Sequence, residues 1–172
     1  MAHAPSAIEE ELIQEFGNIY ESHGLKRLQG LIVGLLLTQS EPASLDDMVE
    51  LLGHSKGPIS IAVRRLADIG VVRKVDGPVN RRNYYVSHPD IFYNNFKFNM
   101  ATVRRNRSLA ERYLKRIRSR GEDNSETVKN LEHMHAFYQL MESFYQDFSK
   151  RWEEVKQARL EAEDASSVEN RV

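Results

Sequence analysis

Cysteine is missing from this chain of 172 residues. That one absence excludes disulfides, thiolate metal sites and thiol-based redox sensing. Proline is scarce, with Pro42, Pro78 and Pro89 at breaks in the pattern and Pro58 at the start of an apolar stripe. The longest apolar run, Leu31 to Leu37, falls well short of the roughly 20 residues that a membrane span needs. The opening MAHAPSA has no basic segment followed by an apolar one, so no secretory signal is expected and the chain reads as cytoplasmic. No nucleophile–base grouping, glycine-rich phosphate loop or metal motif is present. His133 and His135 stand two apart, and on a helix they diverge rather than share an ion. Neither an enzyme, a cofactor nor a metal site is therefore expected.

Net charge is nearly absent as well, at −1, which at first argues against a polyanionic partner. The distribution reverses that impression. Through residue 54 nine acids face only Lys26 and Arg27. Residues 55–86 carry Lys56, Arg64, Arg65, Arg73, Lys74, Arg81 and Arg82 against Asp68 and Asp76. Residues 91–120 hold nine bases against Glu111, and acids again dominate from 121 onward. A basic middle between acidic ends suits a polyanion-binding surface.

Helical signals run through most of the chain. Ser6-Ala-Ile-Glu9 reads as a capping box, and Ile8, Leu12, Phe16 and Ile19 follow on one helical face. A second helix over about 26–38 is apolar nearly all round and is expected to be the most buried. Ser44-Leu-Asp-Asp47 opens a short helix over 45–52, closed by Gly53. Ser55 is placed to cap the next, whose inward stripe is Ile59, Val63 and Leu66 and which ends at Gly70. Two such helices joined by Gly53-His54 fit a helix-turn-helix.

A β-hairpin is expected directly after it. Residues 71–75 and 82–86 alternate as strands around Asp76-Gly77-Pro78. A hairpin in that place makes the arrangement winged. Ser60 and Arg64 lie opposite the inward stripe, where a hydroxyl and a guanidinium can reach base edges, although a plain solvated face would look similar. Lys56 and the backbone N–H of Gly57 sit at the helix N-terminus, a natural phosphate position. Ser55 and Arg65 complete the candidate face. Asn80, Arg81 and Arg82 at the hairpin tip suit phosphates or a narrow minor groove.

The fold class expected is mainly α with one β-hairpin: a winged helix-turn-helix domain plus long C-terminal helices. The boundaries are an N-terminal helix over 1–24, the winged domain over 25–90, a helical dimerisation region over 91–160 and a frayed tail over 161–172. In the last helix Leu131, Met134, Tyr138, Met141, Tyr145, Phe148, Trp152 and Val155 form a heptad seam. With Leu12 and Phe16 of the first helix, all but Val155 are assigned to a homodimer interface. Part of the aromatic set (Tyr93, Phe96, Phe137 and Tyr145) can alternatively line an effector pocket. The basic stretch 104–120 either flanks DNA or pairs with the acidic helices, and both readings stay open.

The segments Ser55-Lys-Gly-Pro-Ile-Ser60, Arg65-Leu-Ala-Asp-Ile-Gly-Val-Val-Arg-Lys-Val75 and Arg81-Arg-Asn-Tyr-Tyr85 resemble the MarR family of winged-helix regulators. More narrowly, with Gly30 to Leu37 and Ser44 to Gly53 included, they resemble its GbsR-type branch over about residues 7–90. The resemblance implies a dimeric, sequence-specific regulator of double-stranded DNA, most simply a repressor of a pseudo-palindromic operator. It also implies that Lys56, Ser60, Arg64 and Arg81 are DNA contacts, and it points distantly to a choline-like effector. The alternative is a winged-helix module that binds protein and no operator.

Overall fold

The computed structural model describes residues 2–79, 82–121 and 126–169, with side chains through residue 162. Its elements in chain order are α1 (Ala7–Ser22), α2 (Arg27–Thr38), β1 (Ala43–Ser44), α3 (Leu45–Leu52), α4 (Lys56–Asp68), β2 (Val72–Val75), β3 (Tyr84–Ser87), α5 (Ile91–Arg118) and α6 (Glu126–Glu169). The chain divides into two units, residues 2–98 and 99–169.

In the first unit, sequence signals and local structure agree closely at the helix ends. The Ser6 hydroxyl accepts from the Glu9 N–H while the Glu9 carboxylate accepts from the Ser6 N–H at 2.7 Å, a reciprocal capping box. Ser44 and Asp47 make the same exchange at the start of α3. Gly53 closes α3 with φ +66°, and Gly70 follows α4 with φ +73°, a backbone region that costs side-chain-bearing residues energy. Ser55 takes the N-cap position of α4 in extended backbone, but its side chain makes no capping hydrogen bond, contrary to expectation.

Helix α2 is the floor of this unit, with every residue from Gln29 to Leu36 buried. Ile59, Val63 and Leu66 of α4, Met48 of α3 and Val71 and Val72 pack into the same core. Helix α1 lies against α2 through Ile13 and Gly17. The apolar stripe that periodicity picks out on α1 is therefore not the face turned to α2: Ile8, Leu12 and Ile19 are exposed and only Phe16 is half-buried. The reason is the small residues. A Cβ on Gly30 would stand 2.2 Å from the Phe16 carbonyl oxygen, and one on Gly34 would stand 2.8 Å from Ile13 Cα. The backbones approach so closely that a glycine face outcompetes a leucine face for the contact.

The hairpin forms over slightly shorter strands than expected, with Val72 opposite Ser87 and Val75 opposite Tyr84. The sheet has a third strand that periodicity did not reveal. Ala43 and Ser44 pair antiparallel with Tyr85 and Tyr84, giving the order β1-β3-β2. Two residues are too few to display a period of two.

In the second unit, α6 and residues 99–118 of α5 are joined by ion pairs that run antiparallel. Arg104 Nε and Arg107 Nε lie 2.9 and 3.0 Å from the two carboxylate oxygens of Glu142, and Arg118 reaches Glu132 at 2.6 Å. Val103, Ala110 and Leu114 are buried. Helix α6 continues through Glu169 rather than giving way at residue 161.

Candidate nucleic-acid interface

Helix α4 divides cleanly by exposure. Ile59, Ala62, Val63 and Leu66 are buried, while Lys56, Gly57, Ile61, Arg64 and Arg65 are exposed and Ser60 is half-buried. With 3.6 residues per turn, Gly57, Ile61, Arg64 and Asp68 fall opposite the buried stripe. The sequence reading singled out Ser60 and Arg64 on that side and did not single out Ile61.

At the N-terminal end of α4 the first backbone N–H groups are left open. The Ser55 side chain makes no capping bond, and Pro58 carries no N–H, so the first N–H groups, at Lys56 and Gly57, have no side-chain acceptor from the cap. A Cβ placed on Gly57 would meet nothing within 4 Å, so the backbone there is open to close approach. Lys56 Nζ donates to Asp46 Oδ1 at 2.7 Å, with both side chains more than half exposed. That hydrogen bond holds the Asp46 carboxyl below its ordinary range, with the positive charges of Lys56 and then Arg82 adding to the effect.

The wing base comes to the same place. Ser44, Leu45, Asp46, Lys56, Arg82 and Asn83 line one opening of about 180 Å³. Lys56 and Arg82 are far apart in sequence, and the fold gathers them around the first turn of α3. The wing backbone passes close to Tyr84 at Gly77, where a Cβ would stand 2.0 Å from the ring. Asn80 and Arg81, the other wing residues singled out, lie outside the described residues. Arg73 and Lys74 on β2 are exposed.

The remaining candidates fall elsewhere. Tyr93 and Phe96 stack with centroids 6.1 Å apart, and Lys97 Nζ sits 4.9 Å from the Tyr93 centroid. Phe137 and Tyr145 are on α6, each edge-on to its neighbour in sequence, Tyr138 and Phe144. Of the seam, Leu131, Met134, Tyr138, Met141, Tyr145 and Trp152 are half-buried within a single chain, and Phe148 is exposed. The most exposed apolar residues of α6 are Leu140, Phe144 and Phe137, at 71%, 63% and 54%. Sequence reasoning treated these as the margin of the seam. In the stretch 104–120, Arg104, Arg107 and Arg118 pair with carboxylates of α6, and Arg112 and Arg116 lie over the Tyr113 ring.

Among the described residues no group of three or more His, Asp or Glu side chains is placed to hold a metal ion. Among them also, no helix is long and apolar enough to cross a membrane.

No family model matches the chain. It is 31% identical to the HTH-type transcriptional regulator MmpR5 of Mycobacterium tuberculosis over 83 residues, 48% of this chain and 50% of that protein. The match thus spans about half the length of that relative. It is 28% identical to the HTH-type transcriptional repressor GbsR of Bacillus subtilis over 158 residues, 85% of this chain and 84% of that one. A crystal structure of a transcriptional regulator superimposes with a TM-score of 0.74 at 24% identity, covering 86% of this chain and 99% of the other. At that identity the likeness is one of fold.

Proposed function

We propose that this chain is a winged helix-turn-helix transcriptional regulator of the MarR type, similar to the GbsR branch, and that it acts as a homodimeric repressor of a pseudo-palindromic DNA operator. The observation that carries the reading is the convergence of Lys56 and Arg82 beside the open N-terminus of α4. Phosphates supply most of the affinity of such a surface, and they also fix the register in which the helix meets base edges. Lys56, Gly57 and Arg82, with Ser55, hold the backbone. Ser60, Arg64 and Arg65 lie along the groove-facing side, where an arginine can bond guanine O6 and N7 in bidentate fashion. Asn80 and Arg81 belong to the same role by their place in the wing.

Dimerisation supplies the second half-site, about one DNA turn away. The exposed ridge of α6 and the exposed stripe of α1 (Ile8, Leu12 and Ile19) support that part of the reading, because both are apolar and uncovered in one chain. Release by a small molecule is the finest part. The Tyr93 ring already accepts the Lys97 ammonium on its face, which is the chemistry a choline-like cation would use.

Genomic fragments retained by the purified protein, with and without choline, test the whole reading. The expected result is one enriched inverted repeat, bound with steep salt dependence. Arg64→Ala should weaken that site by about 1–3 kcal/mol and relax preference at one base pair. Retention without sequence preference would sink the operator reading, and indifference to duplex even at low salt would favour the protein-binding alternative.

A further inference from the structure

We propose that Ile61 is a specificity-determining residue that reads the 5-methyl group of a thymine in the major groove. The inference rests on the operator reading and deepens it. Ile61 is 64% exposed on a helix whose other large aliphatic side chains, Ile59, Val63 and Leu66, are at most 1% exposed. Three residues before Arg64 and four before Arg65, it shares their turn of the helix surface. One turn towards the N-terminus stands Gly57, with open space where a side chain would be. The result is an apolar spot beside bare backbone, flanked by Arg64 and Arg65, and Ile61 lines one opening with Lys26, Pro58 and Arg65.

The chemistry of that border selects the occupant. A protein partner covering Ile61 through its own apolar surface would leave two arginines without compensating charge. A duplex offers the reverse arrangement, a groove walled by phosphates whose floor carries one apolar group, the thymine methyl. Cationic side chains then meet phosphate or guanine while the isoleucine meets methyl. Asp68 limits how far the helix can enter. Its carboxylate lies on the outward side two turns beyond Ile61 and repels the backbone, so the first two turns are the inserted part and Ile61 lies within them.

The test begins with operator selection by the full chain from random duplexes. Each thymine of the selected site is then replaced singly by deoxyuridine, which keeps base pairing and lacks the methyl group. Affinities of the native chain and of Ile61→Ala are measured by fluorescence anisotropy. One thymine per half-site is expected at which demethylation weakens native binding about three- to tenfold, in the range of one buried methyl. Ile61→Ala should weaken the thymine operator by a similar factor and be indifferent to demethylation there. A selected operator at which no demethylation weakens native binding overturns this assignment alone. So does an equal loss in native and Ile61→Ala proteins. Failure to select any sequence overturns the assignment together with the operator reading beneath it.

Discussion

Asp46 is an acid on a surface otherwise suited to phosphate. Its carboxylate takes the ammonium of Lys56 at 2.7 Å and is held ionised by that hydrogen bond. In the free protein the charge of Lys56 is thereby partly offset and its position fixed at once. A phosphate approaching Lys56 has to share it with, or displace, a group already there. Asp46→Asn is accordingly expected to raise affinity for any duplex and to steepen the salt dependence by up to about one counterion, while preference between sequences stays as it was. Titrating both proteins with a random and a selected duplex at several salt concentrations checks this, and unchanged slopes would refute it. The sequence reading flagged Lys56 and Arg82 but not Asp46. Nothing in a linear pattern announces an ion pair across the turn between two helices.

The fit of α1 to α2 shows what periodicity can and cannot see. Apolar residues at helical spacing gave the existence and ends of both helices, and on α1 they marked the face left exposed in one chain rather than the face packed on α2. Hydrophobicity ranks Ile8, Leu12 and Ile19 above Gly17, whereas the contact is decided by how near two backbones can come. Helix α2 tolerates Gly30 and Gly34 despite their conformational cost because a side chain at either would meet α1. Alanine in a helix interior ordinarily gains about 1 kcal/mol over glycine, but a methyl group 2.2 Å from the Phe16 carbonyl oxygen forces the helices apart. Overpacking of this sort costs about 1–3 kcal/mol. Gly30→Ala should therefore lower the stability measured by urea unfolding despite its better propensity, and a stabilised protein would contradict the packing described. The same limit explains why β1 was missed and the winged hairpin found. A strand of four residues beside a turn rich in Asp, Gly and Pro leaves a mark, and one of two residues does not.

For the whole molecule, net charge is a poor guide and its placement a good one. The basic middle resolves into two kinds of surface. Lys56, Arg64, Arg65 and Arg82 are spread over α4 and the wing, while Arg104, Arg107 and Arg118 turn to Glu142 and Glu132 of the same chain. The stretch 104–120 thus divides residue by residue, with three of its bases paired to the acidic last helix, one of the two readings that the sequence left open. The seam of α6 divides in the same way. Its heptad positions from Leu131 to Tyr145, and Trp152, are half-buried within one chain, Phe148 and Val155 are exposed, and the most uncovered ridge is Phe137, Leu140 and Phe144. The double variant Leu140→Asp/Phe144→Asp is expected to sediment as a monomer with its helical content intact. Operator affinity should fall by at least about a hundredfold, since two linked half-sites bind far more tightly than one. A variant that remains dimeric would remove the ridge from the interface.

The interlock of Gly30 and Gly34 with α1 also has a mechanical meaning. Contacts made backbone to backbone have no rotamers to absorb a displacement, so α1 cannot slide without carrying α2. Because α2 also packs against α4, the close fit of α1 links its outer stripe to α4 through a single intervening helix. If two copies of the chain meet at α1, as the proposed dimer requires, the same close fit would tie any change in their grip to the position of α4.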